Sequence, residues 1–444
     1  MTATSVSTTN TIPKSGFLER FFKLKQHGTN VKTEVIAGIT TFLTMSYIIF
    51  VNPSMLAQTG MDQGAVFVAT CLAAALGCFI MGLLANYPVA LAPGMGLNAF
   101  FTYTVVFQMG YSWQVALGAV FLSGILFVAL SVFKVRELFI NAIPHSLRVG
   151  IGAGIGIFLA LIALQNAKVI VDNPATLVGM GDFTQFGPAM AALSLFITIG
   201  LVNLGFKSAV MVSILVVTAI AVLTGNAEFN GIMSMPPSIA PTFMQMDLAG
   251  AFNVSMVTVI FSLLFVDLFD TAGTLIAVGS KAELLDEEGK LPKAGRAMLA
   301  DSTATAVGAV LGTSSTTSFV ESASGASVGG RTGLTAVVVG MLFLLSLFFS
   351  PLAGIVPAYA TTGALLYVSV LMMSSLVAID WKDLTEATPV VIACLLMPLT
   401  YSIAHGIGLG FISYCVVKIL SGNFKQVNIA VWIISAIFLL KFTL

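Results

Sequence analysis

Apolar runs of about 20 residues, separated by short polar breaks, recur along almost the whole chain. Hydrophobic residues make up 57% of the 444 residues and charged residues only 9%, whereas a soluble domain usually carries about 25% charged residues. A helix needs about 20 apolar residues to cross the hydrocarbon core of a bilayer. The sequence therefore predicts an all-α polytopic membrane protein, because lipid must solvate most of its surface.

We predict fourteen spans in two sets of seven, joined by a polar connection at 226–250. The first set lies near 35–51, 65–85, 87–107, 114–133, 146–165, 187–205 and 207–225. The second set lies near 251–279, 295–312, 313–330, 334–350, 356–377, 386–402 and 404–421. An apolar run at 427–443 is left over, and either a span or an interfacial helix fits it.

The placement of lysine and arginine predicts the orientation of these spans, because cytoplasmic loops collect positive charge. If residues 1–34 form a cytoplasmic tail, Lys168 is the only basic residue in an outer loop, and Lys441 lies in the unplaced run. The other 17 of the 19 basic residues then fall on the inner side. We therefore expect an inner-membrane protein with a cytoplasmic N-terminus.

The cysteines (Cys71, Cys78, Cys394 and Cys415) all fall inside apolar runs. Free cysteine behaves as a small buried hydrophobe, so we predict packing residues rather than disulfides or metal ligands. The three histidines have no metal-binding spacing. The sequence thus predicts neither a metal site nor a cofactor.

Two predicted spans are poor continuous helices. The third contains Pro93 and Gly94 near its middle, and the tenth is rich in serine and threonine around Glu321. Non-helical backbone at membrane depth requires protein or a wet cavity to satisfy it. Interrupted segments at matching positions of two halves are the best sequence indication of a transporter's binding site.

Another spacing also matches between the halves. Pro144 precedes Gly150 in the fifth span as Pro357 precedes Gly363 in the twelfth. Seven is odd, so the second set enters the membrane from the opposite side. The pattern therefore favours an inverted repeat, which suits alternating access.

Three carboxylates fall near the middle of predicted spans: Asp267, Asp270 and Glu321. Each costs on the order of 2.5–3.5 kcal/mol at the middle of a bilayer, so such residues usually have a function. The alternative is a carboxylate that binds loose backbone amides, and Asp270 could equally begin a turn. We interpret Asp301 as a cap or inter-helix tie at the start of the ninth span.

Asn98 follows the break in the third span. Its amide can donate and accept hydrogen bonds at the edge of a heterocycle, or cap the half-helix that follows. Phe100 and Phe319 lie near the breaks and could stack on a planar ligand. Packing against core or lipid is the alternative for both rings.

The motifs LAPGMGLNAFF (91–101), FDTAGTL (269–275), VESASG (320–325) and GGRTGLT (329–335) resemble those of the AzgA-type purine permeases. That family belongs to the nucleobase–ascorbate transporter superfamily. The segment FLTMSYIIFVNP (42–53) is similar as well.

The resemblance implies fourteen spans in two inverted repeats of seven, with short strands in the broken spans 3 and 10. It implies a core domain at 35–133 and 251–350 and a gate domain at 134–250 and 351–421. Residues 422–444 remain a C-terminal apolar segment outside this plan.

The resemblance also implies proton-driven uptake of adenine, guanine or hypoxanthine. Together with the residue pattern, it predicts a substrate site made of Glu321, Asp267, Asn98, Thr41, Phe319 and Phe100. It predicts proton coupling through Asp267, Glu321 and Asp270. The expected partners are a purine base, protons and the lipid bilayer, and no nucleic acid; the sequence leaves a homodimer open.

Rival functions remain open at this point. A transporter of the same fold could carry xanthine, uric acid, uracil or a small anion, although an anion would favour a cation rather than carboxylates at the site. An intramembrane enzyme would need a nucleophile or metal constellation, and the sequence shows none. A channel fits less well, because buried carboxylates on broken helices favour a gated carrier.

Overall fold

The computed structural model describes residues 16–132, 143–286 and 291–443. Four of the basic residues used to orient the spans lie outside the described residues: Lys14, Lys134, Arg136 and Lys290.

The chain is mainly helical. The helices of its first half are α1 Phe17–Phe22, α2 Val31–Met45, α3 Ile48–Leu56, α4 Gln63–Ile80, α5 Met95–Ala99, α6 Trp113–Val132, α7 His145–Asn166, α8 Phe186–Asn203 and α9 Ala209–Leu223. Those of its second half are α10 Leu248–Ala251, α11 Val254–Lys281, α12 Ala294–Leu311, α13 Ser322–Ser327, α14 Gly333–Ser346, α15 Ser350–Ile355, α16 Ala358–Met373, α17 Leu384–Leu399, α18 Ile403–Leu420 and α19 Ile429–Thr443. The strands are β1 Leu91–Pro93, β2 Ile170–Asn173, β3 Leu177–Met180 and β4 Thr316–Ser318.

Nine helices in the described part of the chain are long and apolar enough to cross a membrane. They are Val31–Thr59, Gln63–Ala85, Trp113–Val132, His145–Asn166, Phe186–Asn203, Ser255–Lys281, Gly333–Ile355, Ala358–Ala378 and Ile403–Leu420. Each of these helices overlaps most of one span predicted from the apolar runs. The helical, polytopic character of the chain is therefore confirmed.

Short polar side chains fix where several helices begin. Asn30, Asp62, Thr332 and Asp383 each accept a hydrogen bond from a backbone N–H in the first turn of the helix that follows. These bonds satisfy donors that have no partner within the helix. Polar residues between apolar runs thus mark the helix starts.

The predicted N-terminal tail includes a short helix and packs on the rest of the protein. Residues Phe17–Phe22 form α1, and Phe22 and Leu24 pack against Leu334 of α14. The side chain of Asn86 also donates a 3.0 Å hydrogen bond to the carbonyl oxygen of Phe22. The tail therefore docks on the helical body before the first span begins at Val31, four residues earlier than predicted.

Glu34, which the prediction placed in the tail, is fully buried in α2. Its carboxylate accepts hydrogen bonds from the backbone N–H of Arg331 at 2.9 Å and from the hydroxyl of Thr335 at 2.6 Å. It therefore ties the first span to the start of α14, where unpaired N–H groups need an acceptor.

The broken spans 3 and 10 meet in the interior. Strands β1 and β4 pair antiparallel, with Leu91 opposite Ser318 and Pro93 opposite Thr316. Two further backbone hydrogen bonds of 2.9 Å, from Gly94 to Ser315 and from Phe319 to Ala90, extend the pairing at both ends. The backbone N–H and C=O groups of each broken span thus find hydrogen-bond partners in the other. The short strands implied by the family resemblance are present.

The last apolar run forms α19, which packs along α18. Ser435 lies 3.1 Å from the sulfur of Cys415, and a Cβ at Gly408 would lie 2.5 Å from the ring of Phe438. The four cysteines are free and buried, as predicted.

Candidate functional site

The candidate site surrounds the β1–β4 crossing. Glu321 follows β4 and immediately precedes α13, so the backbone break fixes its position. The hydroxyl of Tyr47, between α2 and α3, donates a 2.6 Å hydrogen bond to Glu321 Oε1. Tyr47, at the interruption of the first span, therefore binds the carboxylate of Glu321, which follows the interruption of the tenth span.

Two adjoining cavities open at Glu321. The smaller, of about 80 Å³, is lined by Tyr47, Asp270, Phe319 and Glu321, among others. The larger, of about 260 Å³, also has Glu321 in its wall, together with Thr44, Lys207 and Tyr367. A ligand in either cavity would meet the same glutamate.

Asp270 and Asp267, three residues apart on α11, occupy different depths. Asp270 lines the small cavity, and its Oδ2 accepts a long hydrogen bond of 3.4 Å from the hydroxyl of Thr317. Asp267 lies deeper, where Thr305 of α12 donates to its Oδ2 at 2.9 Å. Within the described residues, Asp267 Oδ1 is buried without a hydrogen-bond partner.

Asp301 lies two turns inside α12 rather than at its start, so the predicted cap is wrong and the predicted inter-helix tie is confirmed. Its Oδ1 accepts hydrogen bonds from Thr271 of α11 at 2.7 Å and from the hydroxyl of Ser318 at 3.1 Å. Its carboxyl group lies close enough to that of Asp267 for the two charges to interact. A carboxyl pair is therefore buried behind the small cavity.

Asn98 lies on the other side of the crossing. It is fully buried, and its side-chain oxygen accepts a hydrogen bond from the hydroxyl of Ser314. Within the described residues, its Nδ2 has no partner. The amide therefore joins the two broken spans and does not line either cavity.

Thr41 and Phe100 are also fully buried and outside both cavity walls. Thr41 lies where α2 packs closely on α13. A Cβ added at Gly325 of α13 would clash with the hydroxyl of Thr41. The structure thus brings Glu321, Asp270 and Phe319 together at the small cavity and Asp267 behind them. Ligand contact by any of the six predicted residues stays a prediction.

Sequence reasoning did not select Tyr47, Tyr367 or Thr305. Tyr47 falls within the segment at 42–53 that carries the family resemblance, yet a tyrosine in an apolar run has no pattern of its own. Only the fold brings it to Glu321, which is 274 residues away.

The small cavity offers hydrogen-bond acceptors and an aromatic face. Asp270 and Glu321 supply carboxylate oxygens, and Phe319 supplies the ring. Carboxylates accept N–H donors when ionised and can donate when protonated. This combination suits a planar, neutral molecule with ring N–H groups and ring acceptors.

Comparison with known families decides the class. Residues 32–439 match the model of a permease family. The chain belongs to this permease family. The permease is 54% identical over 426 residues to the adenine permease AdeP of Escherichia coli strain K12, with 96% of each chain covered. It is 46% identical to the guanine/hypoxanthine permease PbuG of Bacillus subtilis strain 168, covering 96% of this chain and 99% of that one.

The resemblance to AzgA-type permeases is confirmed by these relatives and by the nucleobase transporter PlAzg2 of Paenibacillus larvae. That protein is 37% identical over 86% of this chain and 76% of its own. With its apolar helices, the permease is an integral membrane protein.

Solved structures share the fold at low identity. The transmembrane domain of the cyanobacterial bicarbonate transporter BicA matches with a TM-score of 0.61 at 13% identity, covering 85% of this chain and 97% of that one. SLC26A9 matches with a TM-score of 0.65 at 10% identity, covering 91% and 67%. At these identities the similarity concerns the fold alone.

Proposed function

We propose that this permease imports purine nucleobases (adenine, guanine or hypoxanthine) by proton symport through alternating access. The observation that carries the proposal is the acidic, aromatic-walled cavity at the crossing of the two broken spans. The names of the relatives, adenine permease and guanine/hypoxanthine permease, support the substrate class.

In this proposal Glu321 makes the main substrate contact. A purine at Glu321 extends into the larger cavity as well, since about 80 Å³ alone is too small for it; it presents ring N–H groups to Glu321 and its face to Phe319. Asp270, in the same wall, accepts a further N–H or exchanges a proton. Asp267 shares recognition from the deeper layer, and Asn98, Thr41 and Phe100 shape the region around the crossing.

Proton coupling is proposed to run through Asp267, Asp270 and Glu321. The burial of Asp267 supports this role, because an ionised carboxylate is costly away from water unless it is paired. Asp270 and Glu321 line the small cavity, where they can exchange protons with water or a ligand. The interaction of Asp267 with Asp301 adds a neighbouring acid. A proton shared between two adjacent carboxyl groups removes the repulsion of like charges, so the cluster can hold one during transport.

We further propose fourteen spans in two inverted repeats, with a core at 35–133 and 251–350 and a gate at 134–250 and 351–421. Close glycine packing supports the symmetry. A Cβ at Gly150 of span 5 would meet Val390 of span 13 at 3.1 Å, and one at Gly363 of span 12 would meet Ser194 of span 6 at 2.5 Å. Spans 5 and 12, and spans 6 and 13, are equivalent in an inverted repeat of seven.

The proposed location is the cell inner membrane, with a cytoplasmic N-terminus. The distribution of basic residues supports that orientation.

A small anion is the second candidate, because the solved structures of similar fold are anion carriers by title. The carboxylates of Asp270 and Glu321 in the small cavity oppose it, since an anion would be repelled there. Another nucleobase, such as xanthine, uric acid or uracil, would satisfy the same groups.

The test is uptake of labelled adenine and hypoxanthine into proteoliposomes under an inward proton gradient, with Glu321→Gln beside the wild type. Removing the carboxylate should reduce uptake at least about tenfold, because a hydrogen bond to a charged group contributes roughly 1.5–3 kcal/mol. Glu283→Gln is the matched control, since Glu283 is 79% exposed and lies away from both cavities.

An uptake rate that is unchanged when a protonophore collapses the proton gradient would exclude proton symport. Full uptake by Glu321→Gln would remove Glu321 from the site, and transport of bicarbonate or sulfate in place of purines would favour the anion carrier.

A further inference from the structure

Tyr47 stands at the junction of α2 and α3, where the first span is interrupted between Met45 and Ile48. Its side chain is 2% exposed, yet it forms part of the wall of the small cavity. Its hydroxyl donates to Glu321 Oε1 at 2.6 Å, a distance typical of a short hydrogen bond to a carboxylate. The bond therefore joins a cavity-lining phenol to the proposed substrate-binding group.

A second contact holds the same junction to Glu321. The hydroxyl of Thr44, at the end of α2, lies 3.5 Å from the backbone carbonyl oxygen of Glu321. The end of α2 thus meets both the backbone and the carboxylate of this residue. The position of Glu321 is therefore set by span 1 as well as by the strand that precedes it.

The chemistry of the pair depends on protonation. While Glu321 is ionised it can only accept, so the Tyr47 proton is committed to it. When Glu321 takes a proton, its own O–H can donate to the Tyr47 oxygen, and the phenol O–H is released. A released phenol at the cavity wall can then donate to a ring nitrogen or carbonyl of a base.

We propose that Tyr47 is a positioning residue that couples protonation of Glu321 to purine binding, an inference that rests on the function proposed above. Tyr47 orients Glu321 while that residue is ionised and offers its own donor to the base once Glu321 is protonated. The titratable or charged groups that share a cavity wall with Glu321 are Tyr47, Asp270, Tyr367 and Lys207. Tyr47 is the one whose hydroxyl is hydrogen-bonded to the carboxylate, so the coupling adds a pH dependence of substrate affinity that this hydroxyl carries.

The experiment measures binding of labelled adenine and hypoxanthine to the purified full-length protein over roughly pH 5 to 8. Tyr47→Phe removes the hydroxyl and keeps the ring. Tyr87→Phe is the matched control, because Tyr87 is 5% exposed and its hydroxyl accepts a 2.9 Å hydrogen bond from the backbone of Lys293, away from both cavities. The unfolding temperature without ligand reports whether each variant is folded.

We expect Tyr47→Phe to bind about tenfold more weakly where the wild type binds best, as loss of a charge-assisted hydrogen bond predicts, and to lose most of the pH dependence. Tyr87→Phe should keep the wild-type profile. A wild-type pH profile in Tyr47→Phe overturns the coupling while leaving the proposed function standing. Wild-type protein that binds no purine at any pH overturns the proposed function and this inference with it.

If Tyr47→Phe does not fold, Tyr47→Gln supplies the comparison, because its amide offers a donor and an acceptor and does not titrate between about pH 5 and 8. A weaker affinity with a pH dependence in the same direction as that of the wild type supports the coupling, and a pH-independent affinity equal to that of the wild type overturns it.

Discussion

The hydroxyl group of Thr271 donates a 2.7 Å hydrogen bond to Asp301 and lies 3.0 Å from the hydroxyl of Thr317. These three residues belong to α11, α12 and β4. One threonine therefore connects the helix that carries Asp267 and Asp270 to a buried acid and to the crossing strand. Displacement of any of the three elements would break this contact.

We predict that Asp301→Asn reduces purine uptake at least about tenfold, because it removes a charged acceptor from a buried network whose bonds contribute roughly 1.5–3 kcal/mol each. The asparagine has nearly the same volume, so packing is maintained. Uptake into proteoliposomes measures the effect. Asp172→Asn, on an exposed strand, should transport normally.

Gradient-driven uptake at the wild-type rate in Asp301→Asn would show that the buried carboxyl pair is not needed for transport. A variant that no longer elutes as a folded protein would instead assign Asp301 a structural role.

The apolar runs were sufficient to predict most of the long helices. The runs at 65–85, 114–133 and 146–165 correspond to the helical segments Gln63–Ala85, Trp113–Val132 and His145–Asn166, with bounds within two residues of the prediction. Span 1 was less well predicted, because Glu34 made residues 31–34 look like tail. Its charge is tolerated inside the protein because the N-terminus of α14 supplies donors, a tertiary contact that local sequence does not reveal.

The site was predicted only in part for the same reason. A carboxylate in an apolar run is conspicuous, so Asp270 and Glu321 were selected, and both line the small cavity. Tyr47 is not conspicuous in such a run. Asp301 was noticed but assigned to a helix start, although the predicted span begins at 295 and α12 at Ala294, seven residues before it.

Asp270 offers a second prediction, which separates proton coupling from substrate binding. It lines the small cavity beside Glu321, yet in the described structure its hydrogen-bond contact is a long one of 3.4 Å from Thr317. We expect Asp270→Asn to reduce gradient-driven uptake about tenfold, which corresponds to about 1.4 kcal/mol of activation free energy. Exchange of purine across the membrane should stay within about threefold of the wild-type rate, or about 0.7 kcal/mol.

Counterflow in preloaded proteoliposomes measures exchange, and an imposed pH gradient measures coupled uptake. Equal loss of both rates would place Asp270 in substrate binding, and loss of neither would remove it from the mechanism.

The contact between Gly96 and Ile155 gives a third prediction. Gly96 of α5 lies in the proposed core and Ile155 of α7 in the proposed gate, and a Cβ at Gly96 would lie 2.5 Å from Ile155 Cγ2. We expect Gly96→Ala to slow uptake about tenfold, since overpacking costs about 1–3 kcal/mol. Gly152→Ala is the control, because nothing lies within 4 Å of its added Cβ.

Adding Ile155→Ala to Gly96→Ala should restore much of the uptake by making room for the new methyl group. If the double variant is no faster than Gly96→Ala, the steric contact is not what limits movement.

A half-buried ion pair joins helices of the proposed gate. Lys418 of α18 is 3% exposed, and its Nζ lies 2.7 Å from Glu386 Oε1 and 2.8 Å from the hydroxyl of Thr385, both in α17. Ser146 of α7 donates to the other oxygen of Glu386. Three helices therefore converge on a single carboxylate, which lies outside the walls of both cavities.

We predict that Lys418→Met destabilises the protein by about 1–3 kcal/mol, because it leaves the Glu386 carboxylate, which is 28% exposed, without its charged partner. The unfolding temperature in detergent measures this loss, and Lys382→Met, at an exposed position, is the control. The double variant Lys418→Met/Glu386→Gln should be more stable than Lys418→Met alone, since it removes the orphaned carboxylate. A double variant less stable than Lys418→Met would mean that Glu386 stabilises the gate through Ser146 rather than through Lys418. Purine affinity should be unchanged in all three variants, because the pair holds the helices together at a distance from the ligand.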